Sequence, residues 1–558
     1  MSAVAPAAEA AQSRSFVQKM LDGIEKAGNK VPHPVMMFLY LILIVIALSA
    51  VLDLLNVSVT EEVLIPVTDI DDPDYNLAGG SSEIIILPGE DGEDIQFLVK
   101  EQTSSIKSLL SISGIRFIFS SFVTNFASFS VVAVIFVAMI GIGVAEKAGL
   151  MGALIRKLVA IAPARLLTFS IVLVGGLSSI ASDAGYLILV PLGAAAFYSV
   201  GRHPLVGVAA AYAGVSAAFS VNVLIAPLDA MLTEMTNEAI ALENPGETIS
   251  ITANLFFETA SLIVMAIVIT FVTERIIEPR LGTYDPAQAG EGDEAAVAPE
   301  ADVDQAAESR GLRYAGFAVL GFIALIVLLT APSGAPLRDP NTGAIVGTTP
   351  FMDSLIFMIT LLFLAAGIGY GYGAGTFKNS NDAIAGVTNA FAGLSGLIFM
   401  LLIISQFIAY FNFSNLPTVI AGGMASLLES ANVHELILLI GLILIIAVLD
   451  IIIPGSMPKW AIFAPIFIPL FIRLGVAPQT VLAAYRVGDS PMNVVTPLMV
   501  YLPFIVIVSQ RYVKDTGLGT IVSMMIPYTL IVLAIWIVFF VIWYALGIPV
   551  GPGYSVGT

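Results

Sequence analysis

The feature that most restricts what this chain can fold into is the stretch Pro454–Pro503, where eight prolines and several ionisable residues interrupt an apolar run. Pro491, Pro497 and Pro503 recur at six-residue intervals, and each removes an amide donor from any helix that contains it. Hydrocarbon cannot replace the lost partner, so broken backbone at membrane depth persists only inside protein or along a wet cavity. Arg486 and Asp489 are three residues apart and fall on one helical face. Ionisable groups at such depth are costly and usually functional. The stretch predicts a broken membrane segment that builds a polar site.

The rest of the chain places that stretch in a bilayer. Of 558 residues, 58% are hydrophobic and 12% charged, and the mean hydropathy is +0.94. This is the composition of an all-α polytopic membrane protein. A span takes about 20 apolar residues, and about nine or ten such runs can be marked, with several shorter broken ones. The formal charge of −19 gathers in two polar loops, 56–107 and 283–310, which read as solvated loops and not as a nucleic-acid surface. The absence of cysteine excludes disulfide and thiolate chemistry. No Walker loop, Gly-x-Ser-x-Gly elbow or His-Glu-x-x-His run occurs, so ATP hydrolysis and soluble-type hydrolase chemistry have no carrier. No pair among His33, His203 and His434 has metal-ligand spacing.

In chain order, residues 1–34 form a polar segment with Arg14, Lys19, Lys26 and Lys30. Val35–Leu55 is too long for a signal-peptide core and reads as a retained first span. The acidic loop after it puts the N-terminus in the cytoplasm and 56–112 outside. Ser128–Ala145 is a second span, preceded by an amphipathic helix at Gly114–Phe126. The stretch 166–200 carries Gly175-Gly176, Ser178, Ser179, Ser182, Asp183 and Gly185 at its centre and basic residues at both ends. It reads as a re-entrant hairpin entered and left from the cytoplasm. Pro204–Pro227 and Leu255–Ile276 complete a first half over 35–277, and 278–311 is a flexible cytoplasmic linker. The second half, 312–546, begins with Gly316–Leu329 and contains a second hairpin at about 454–473. Residues 416–428 remain unassigned, and 547–558 are an uncharged tail.

The halves repeat one another. Gly201-Arg-His-Pro204, Ala210-Ala-Tyr212, Gly214, Ser216 and Asn222 are matched by Gly475-Val-Ala-Pro478, Ala483-Ala-Tyr485, Gly488, Ser490 and Asn493. Loop charges orient the two units oppositely. This is the inverted-repeat pattern of secondary transporters, whose site lies where the broken elements meet.

Several residues then become candidates, each with a plainer reading beside it. Asp183, at the first hairpin tip, suits a proton-accepting carboxylate or, with Ser179 and Ser182, a sodium ligand; it also suits a helix cap. Arg486 can grip a carboxylate bidentately, with Asp489 gaining and losing a proton or ion, or the two can form a structural ion pair. Trp460 can stack on an aromatic ligand or anchor packing. Asp229 and Asp450 lie at span ends and read as interfacial. An intramembrane aspartyl protease using Asp183 and Asp489 is the rival from another class. Its shared-proton dyad is poorly served by a guanidinium next to Asp489, so the chain reads as a transporter and not an enzyme.

Four motifs are specific: Leu21-Asp-Gly-Ile-Glu-Lys-Ala-Gly-Asn-Lys-Val-Pro-His-Pro34, Ser182-Asp-Ala-Gly-Tyr-Leu-Ile-Leu-Val-Pro191, Gly201-Arg-His-Pro204 and Ala483-Ala-Tyr-Arg-Val-Gly-Asp-Ser490. With them, from about residue 20 to 545, the chain resembles the p-aminobenzoyl-glutamate transporter (AbgT) family. The resemblance implies a homodimer in the bacterial inner membrane. It implies nine spans and two re-entrant hairpins per protomer, with an inner transport core and an outer scaffold. Uptake of p-aminobenzoyl-glutamate and export of sulfonamide antimetabolites are the implied activities. The family's functional positions fall on Asp183, Trp460, Pro478, Arg486, Asp489 and Pro497. One motif departs: where the family has Ser-Ala-Gln-Trp, this chain has Met457-Pro458-Lys459-Trp460, with Ser456 adjacent. Lys459 is expected either to pair with Asp489 or to anchor a second carboxylate of the substrate. No cofactor is expected; the coupling ion is H+ or Na+, and the site includes Asn493.

Overall fold

The computed structural model describes residues 34–66, 84–88, 94–181, 185–286, 304–346, 349–430, 434–451, 453, 455–496, 499 and 501–557. Among them, seven helices are long and apolar enough to cross a membrane. They begin with α1 (Pro34–Leu54) and the joined pair α2 (Ile112–Ala127) and α3 (Ser130–Ala148). The others are α9 (Leu255–Val272, continued by a π turn to Leu281), α10 (Gln305–Thr330), α11 (Leu355–Ala374), α13 (Ser395–Phe413) and α19 (Leu518–Ala545). Phe317, Leu320 and Leu328 on α10 are all more than 60% exposed, an apolar outer face that only lipid or another subunit suits.

Shorter elements complete the fold: α4 (Leu150–Ala160), α5 (Leu167–Leu177), α6 (Val190–Ser199), α7 (Pro204–Ser216) and α8 (Pro227–Ile240). In the second half they are α12 (Ser380–Gly393), α14 (Leu416–Ser430), α15 (Glu435–Asp450), α16 (Ser456–Arg473), α17 (Pro478–Asp489) and α18 (Leu502–Gln510). The repeat read from the sequence has a structural counterpart. α5 and α6 both pack on α7, and α15 and α16 both pack on α17. The turns before α7 and α17 use Gly201 at φ 75° and Gly475 at φ 74°, a left-handed conformation that side chains resist. Pro204 and Pro478 then open the helices, where no amide is needed.

Each repeat also contains a discontinuous helix. α7 stops at Ser216 and helix resumes only at Pro227; α17 stops at Asp489, passes through a 3-10 turn over Ser490–Val494, and resumes at Leu502. The two breaks touch, because Ser220 N donates to Ser490 Oγ at 3.1 Å. Asn222 makes the first break tolerable: its Nδ2 donates to Gly176 O at 3.2 Å and its Oδ1 accepts from Val223 N at 2.8 Å. Backbone groups that lipid would leave unpaired are met by a side chain instead.

Several expectations need correction. The 454–473 stretch is not broken internally: α16 is one helix that absorbs Pro465 and Pro469, and the interruption precedes it, at Gly455 (φ 93°). Its counterpart arm is α15, which reads as an ordinary span in the sequence. The 56–107 loop is not merely solvated. It contains a three-stranded antiparallel sheet in the order β1 (Ser58–Pro66), β3 (Asp94–Ser105), β2 (Ile84–Pro88). Ser58 is opposite Ser105 and Ile84 opposite Leu98. Runs such as Ile84-Ile-Ile86 favour pleated backbone even in an acidic loop. α10 starts inside the expected linker, because the Asp304 carboxylate caps Ala306 N at 3.0 Å and Arg156 holds Glu308 at 3.0 Å. The unassigned 416–428 stretch is helical, within α14. The tail folds back, with Thr480 Oγ1 donating to Val556 O at 2.8 Å.

Candidate functional site

The polar site forms around α17, whose twelve residues are almost all buried. Asp489 and Arg486 lie one turn apart on it, yet among the described residues no ion pair joins them. Each reaches a different partner set.

Asp489 Oδ1 lies 2.7 Å from Lys459 Nζ, and the same ammonium contacts Asp450 Oδ1. All three side chains are 0% exposed. Ser456 Oγ donates to Asp489 Oδ2, and Tyr485 OH donates to Ser456 O while standing 3.2 Å from Asp489 Oδ1. This triad is drawn entirely from the second half: α15 supplies Asp450, α16 supplies Ser456 and Lys459, and α17 supplies Asp489. Of the two expectations for Lys459, pairing with Asp489 is the one the structure shows. Trp460 is fully buried beside it. Its ring lies 4.4 Å from that of Tyr485, and its Nε1 donates to Thr236 Oγ1 at 2.9 Å, so here it serves as a packing anchor between α16 and α8.

Arg486 points the other way. Its NH1 donates to Asp229 Oδ1 at 2.7 Å and to Ser220 O at 2.9 Å, and its NH2 lies 3.2 Å from Glu258 Oε1. Asp229 Oδ2 accepts from Ala226 N at 2.7 Å. Arg486, Asp229 and Glu258 are 1%, 3% and 4% exposed. This second triad therefore joins the two halves, with α17 on one side and α8 and α9 on the other.

Reading Asp229 and Asp450 as interfacial is thus wrong. Both are interior carboxylates, because a cation from another helix compensates each of them: Lys459 from the next helix for Asp450, and Arg486 from the other half for Asp229. Glu258 is missed altogether by sequence reasoning. Its only local signal is a lone acid in the first turn of an apolar helix, which an interfacial position explains equally well.

The remaining candidates divide. Pro478 opens α17, and Asn493 is buried in the 3-10 turn after it. Ser179 donates to Gly176 O at 2.9 Å and accepts from Asn222 Nδ2 at 2.9 Å, which ties the first broken stretch to the break after α7. Ser182, Asp183 and Pro497 lie outside the described residues.

Membrane-length helices around discontinuous ones, meeting at buried charges near the repeat interface, are the architecture of a secondary transporter. Known proteins place the chain more narrowly. It belongs to the AbgT putative transporter family, whose pattern matches residues 19–557. It is 32% identical over 543 residues to the p-aminobenzoyl-glutamate transport protein of Escherichia coli strain K12, covering 97% of both chains. Two solved structures are similar, each with a TM-score of 0.81. The YdaH transporter of Alcanivorax borkumensis shares 33% identity, with 93% of this chain and all of that one covered. MtrF of Neisseria gonorrhoeae, described as illuminating a class of antimetabolite efflux pumps, shares 35% identity, with 96% and 99% covered. The protein is a multi-pass membrane transporter of a small molecule.

Proposed function

We propose that the protein is a secondary active transporter of an organic anion with an aromatic body and a carboxylate tail, of the p-aminobenzoyl-glutamate kind, coupled to the proton gradient. The observation that carries this is the Lys459 triad. One ammonium faces two carboxylates in a site whose side chains are wholly buried, so the ionised triad has a surplus negative charge. An uncompensated charge there costs several kcal/mol, and a proton exchanged at the Asp450–Asp489 pair relieves it. Sodium at Ser179, Ser182 and Asp183 is the alternative coupling. A protease dyad of Asp183 and Asp489 is disfavoured because Asp489 is already committed to Lys459, Ser456 and Tyr485, which leaves no free carboxylate face to activate a water.

In this reading the pairs α5–α6 and α15–α16 are re-entrant hairpins, and alternating access moves them past α7 and α17. The protomer carries nine spans, its N-terminus lies in the cytoplasm, and it works as a homodimer in the bacterial inner membrane. Similarity to MtrF favours a second reading, export of sulfonamide-type antimetabolites through the same site.

Uptake of radiolabelled p-aminobenzoyl-glutamate into proteoliposomes tests this, with proton and sodium gradients imposed separately. The expected result is uptake driven by the proton gradient in the wild type and lost in Asp489→Asn. Uptake that follows sodium alone rejects proton coupling, and peptide cleavage by the purified protein would reject transport as the sole function.

A further inference from the structure

The second triad contains a group that the proposed mechanism does not use. Arg486 keeps its proton under all physiological conditions, so its single positive charge faces both Asp229 and Glu258. If both were ionised, the cluster would hold an unpaired negative charge in a site from which water is excluded. One of the two must carry a proton.

Hydrogen bonding identifies which. Asp229 receives an N–H on each oxygen, from Arg486 NH1 at 2.7 Å and from Ala226 N at 2.7 Å, the pattern that stabilises an ionised carboxylate. Glu258 has only the longer 3.2 Å approach of Arg486 NH2, and among the described residues no side-chain hydrogen bond reaches it. Among the described residues, the charges on the elements packed most closely on α9 are Glu274 and Arg275, in the π turn that continues it well beyond Glu258. α5, α7 and α19 carry no charged residue, and their titratable groups are the phenols Tyr212 on α7 and Tyr528 and Tyr544 on α19. Tyr528 OH is taken by Thr273.

We propose that Glu258 is a second proton-carrying carboxylate of the transport cycle, and that its protonation frees one edge of Arg486 for the substrate's carboxylate. The guanidinium is already partly uncommitted: Arg486 Nε is buried without a hydrogen-bond partner, and among the described residues the ion pair of NH2 is with Glu258. With Glu258 neutral, the Nε–NH2 edge can accept a carboxylate in the two-pronged geometry arginine favours, while NH1 stays on Asp229 and Ser220. When Glu258 loses its proton it reclaims NH2 and expels the anion. The triad spans both halves, so this exchange also changes what holds α17 to α8 and α9. The inference rests on the transport reading but adds a proton to it.

Two measurements keep the inference separable from that reading. The first is infrared spectroscopy of the purified full-length protein. A protonated carboxyl band is expected in the wild type and expected to be lost in Glu258→Gln; a spectrum unchanged by the substitution would overturn the assignment whether or not transport occurs. The second is accumulation of p-aminobenzoyl-glutamate in proteoliposomes with the membrane potential clamped at zero. Each coupled proton then contributes about a tenfold accumulation ratio per pH unit of gradient. Glu258→Gln should lower the ratio about tenfold, and Glu258→Asp, which keeps an ionisable group, should restore part of it. A ratio in Glu258→Gln equal to wild type would overturn the inference, whereas no proton-driven uptake in the wild type would instead overturn the transport reading.

Discussion

The two buried triads have the same formal composition, one cation and two carboxylates, and differ in what they connect. The Lys459 triad is assembled from α15, α16 and α17, all in one half. The Arg486 triad joins α17 to α8 and α9 across the repeat interface. The cations differ in kind as well. Lysine is a compact point charge that can give up its proton when buried, whereas arginine's planar fork keeps its charge and holds several acceptors at fixed angles. A charge that must stay while its neighbours titrate suits a contact between the two halves. A charge confined to one half suits a local switch.

Removing the interfacial cation should have the largest effect. Arg486→Met leaves the ionised Asp229 without its cation, and loss of one partner from a buried pair costs about 3–5 kcal/mol. Thermal unfolding in detergent should show that loss, with uptake abolished. Arg486→Lys should not rescue transport, since one ammonium cannot reproduce contacts to Asp229, Glu258 and Ser220 O together. Full rescue by lysine would erase the distinction drawn between the triads.

Lys459→Gln should cost less, about 1–3 kcal/mol, because a proton taken up by the Asp450–Asp489 pair can replace the lost cation and leave only an unsatisfied polar group. Glutamine can still donate to one carboxylate, and Asp489 keeps Ser456 and Tyr485. Its signature should be functional: an altered pH profile of uptake, with α17 still docked on α8 and α9. An unchanged profile would remove Lys459 from the coupling site.

The smallest effect is expected for a pair of the same chemistry nearer the rim. Arg473 NH2 lies 2.8 Å from Glu243 Oε2, with side chains 13% and 18% exposed. Arg473→Gln should change stability by no more than about 1 kcal/mol, because partial solvation already stabilises both ions. A loss matching that of Arg486→Met would mean that depth does not set the energetics of these pairs.

Much of the architecture was legible in the residues alone. Hydropathy marked the membrane class, and the Gly201–Pro204 and Gly475–Pro478 signals marked the repeat, because glycine and proline act through local backbone geometry. Arg486 and Asp489 stood out for a similar reason, as charges in an otherwise apolar run. Their partners did not. Asp229 lies 257 residues from Arg486 in sequence, and an acid at the end of an apolar helix looks interfacial until the cation it meets is known. The sheet in the acidic loop was overlooked because its charged residues mask strand-forming runs whose pairing is non-local.

Local residue patterns were enough to show that this chain spans a membrane in two related halves, that its helices break where proline and polar residues demand it, and that it belongs with the AbgT transporters. Only the tertiary structure decided that Arg486 and Asp489, neighbours on one helix, serve different clusters, and that Asp229, Glu258 and Asp450 are interior. Local patterns set the cost of each helix break and each buried charge. The groups that offset that cost can come from elements hundreds of residues away, as Asp229 does for Arg486, and only packing brings them within reach.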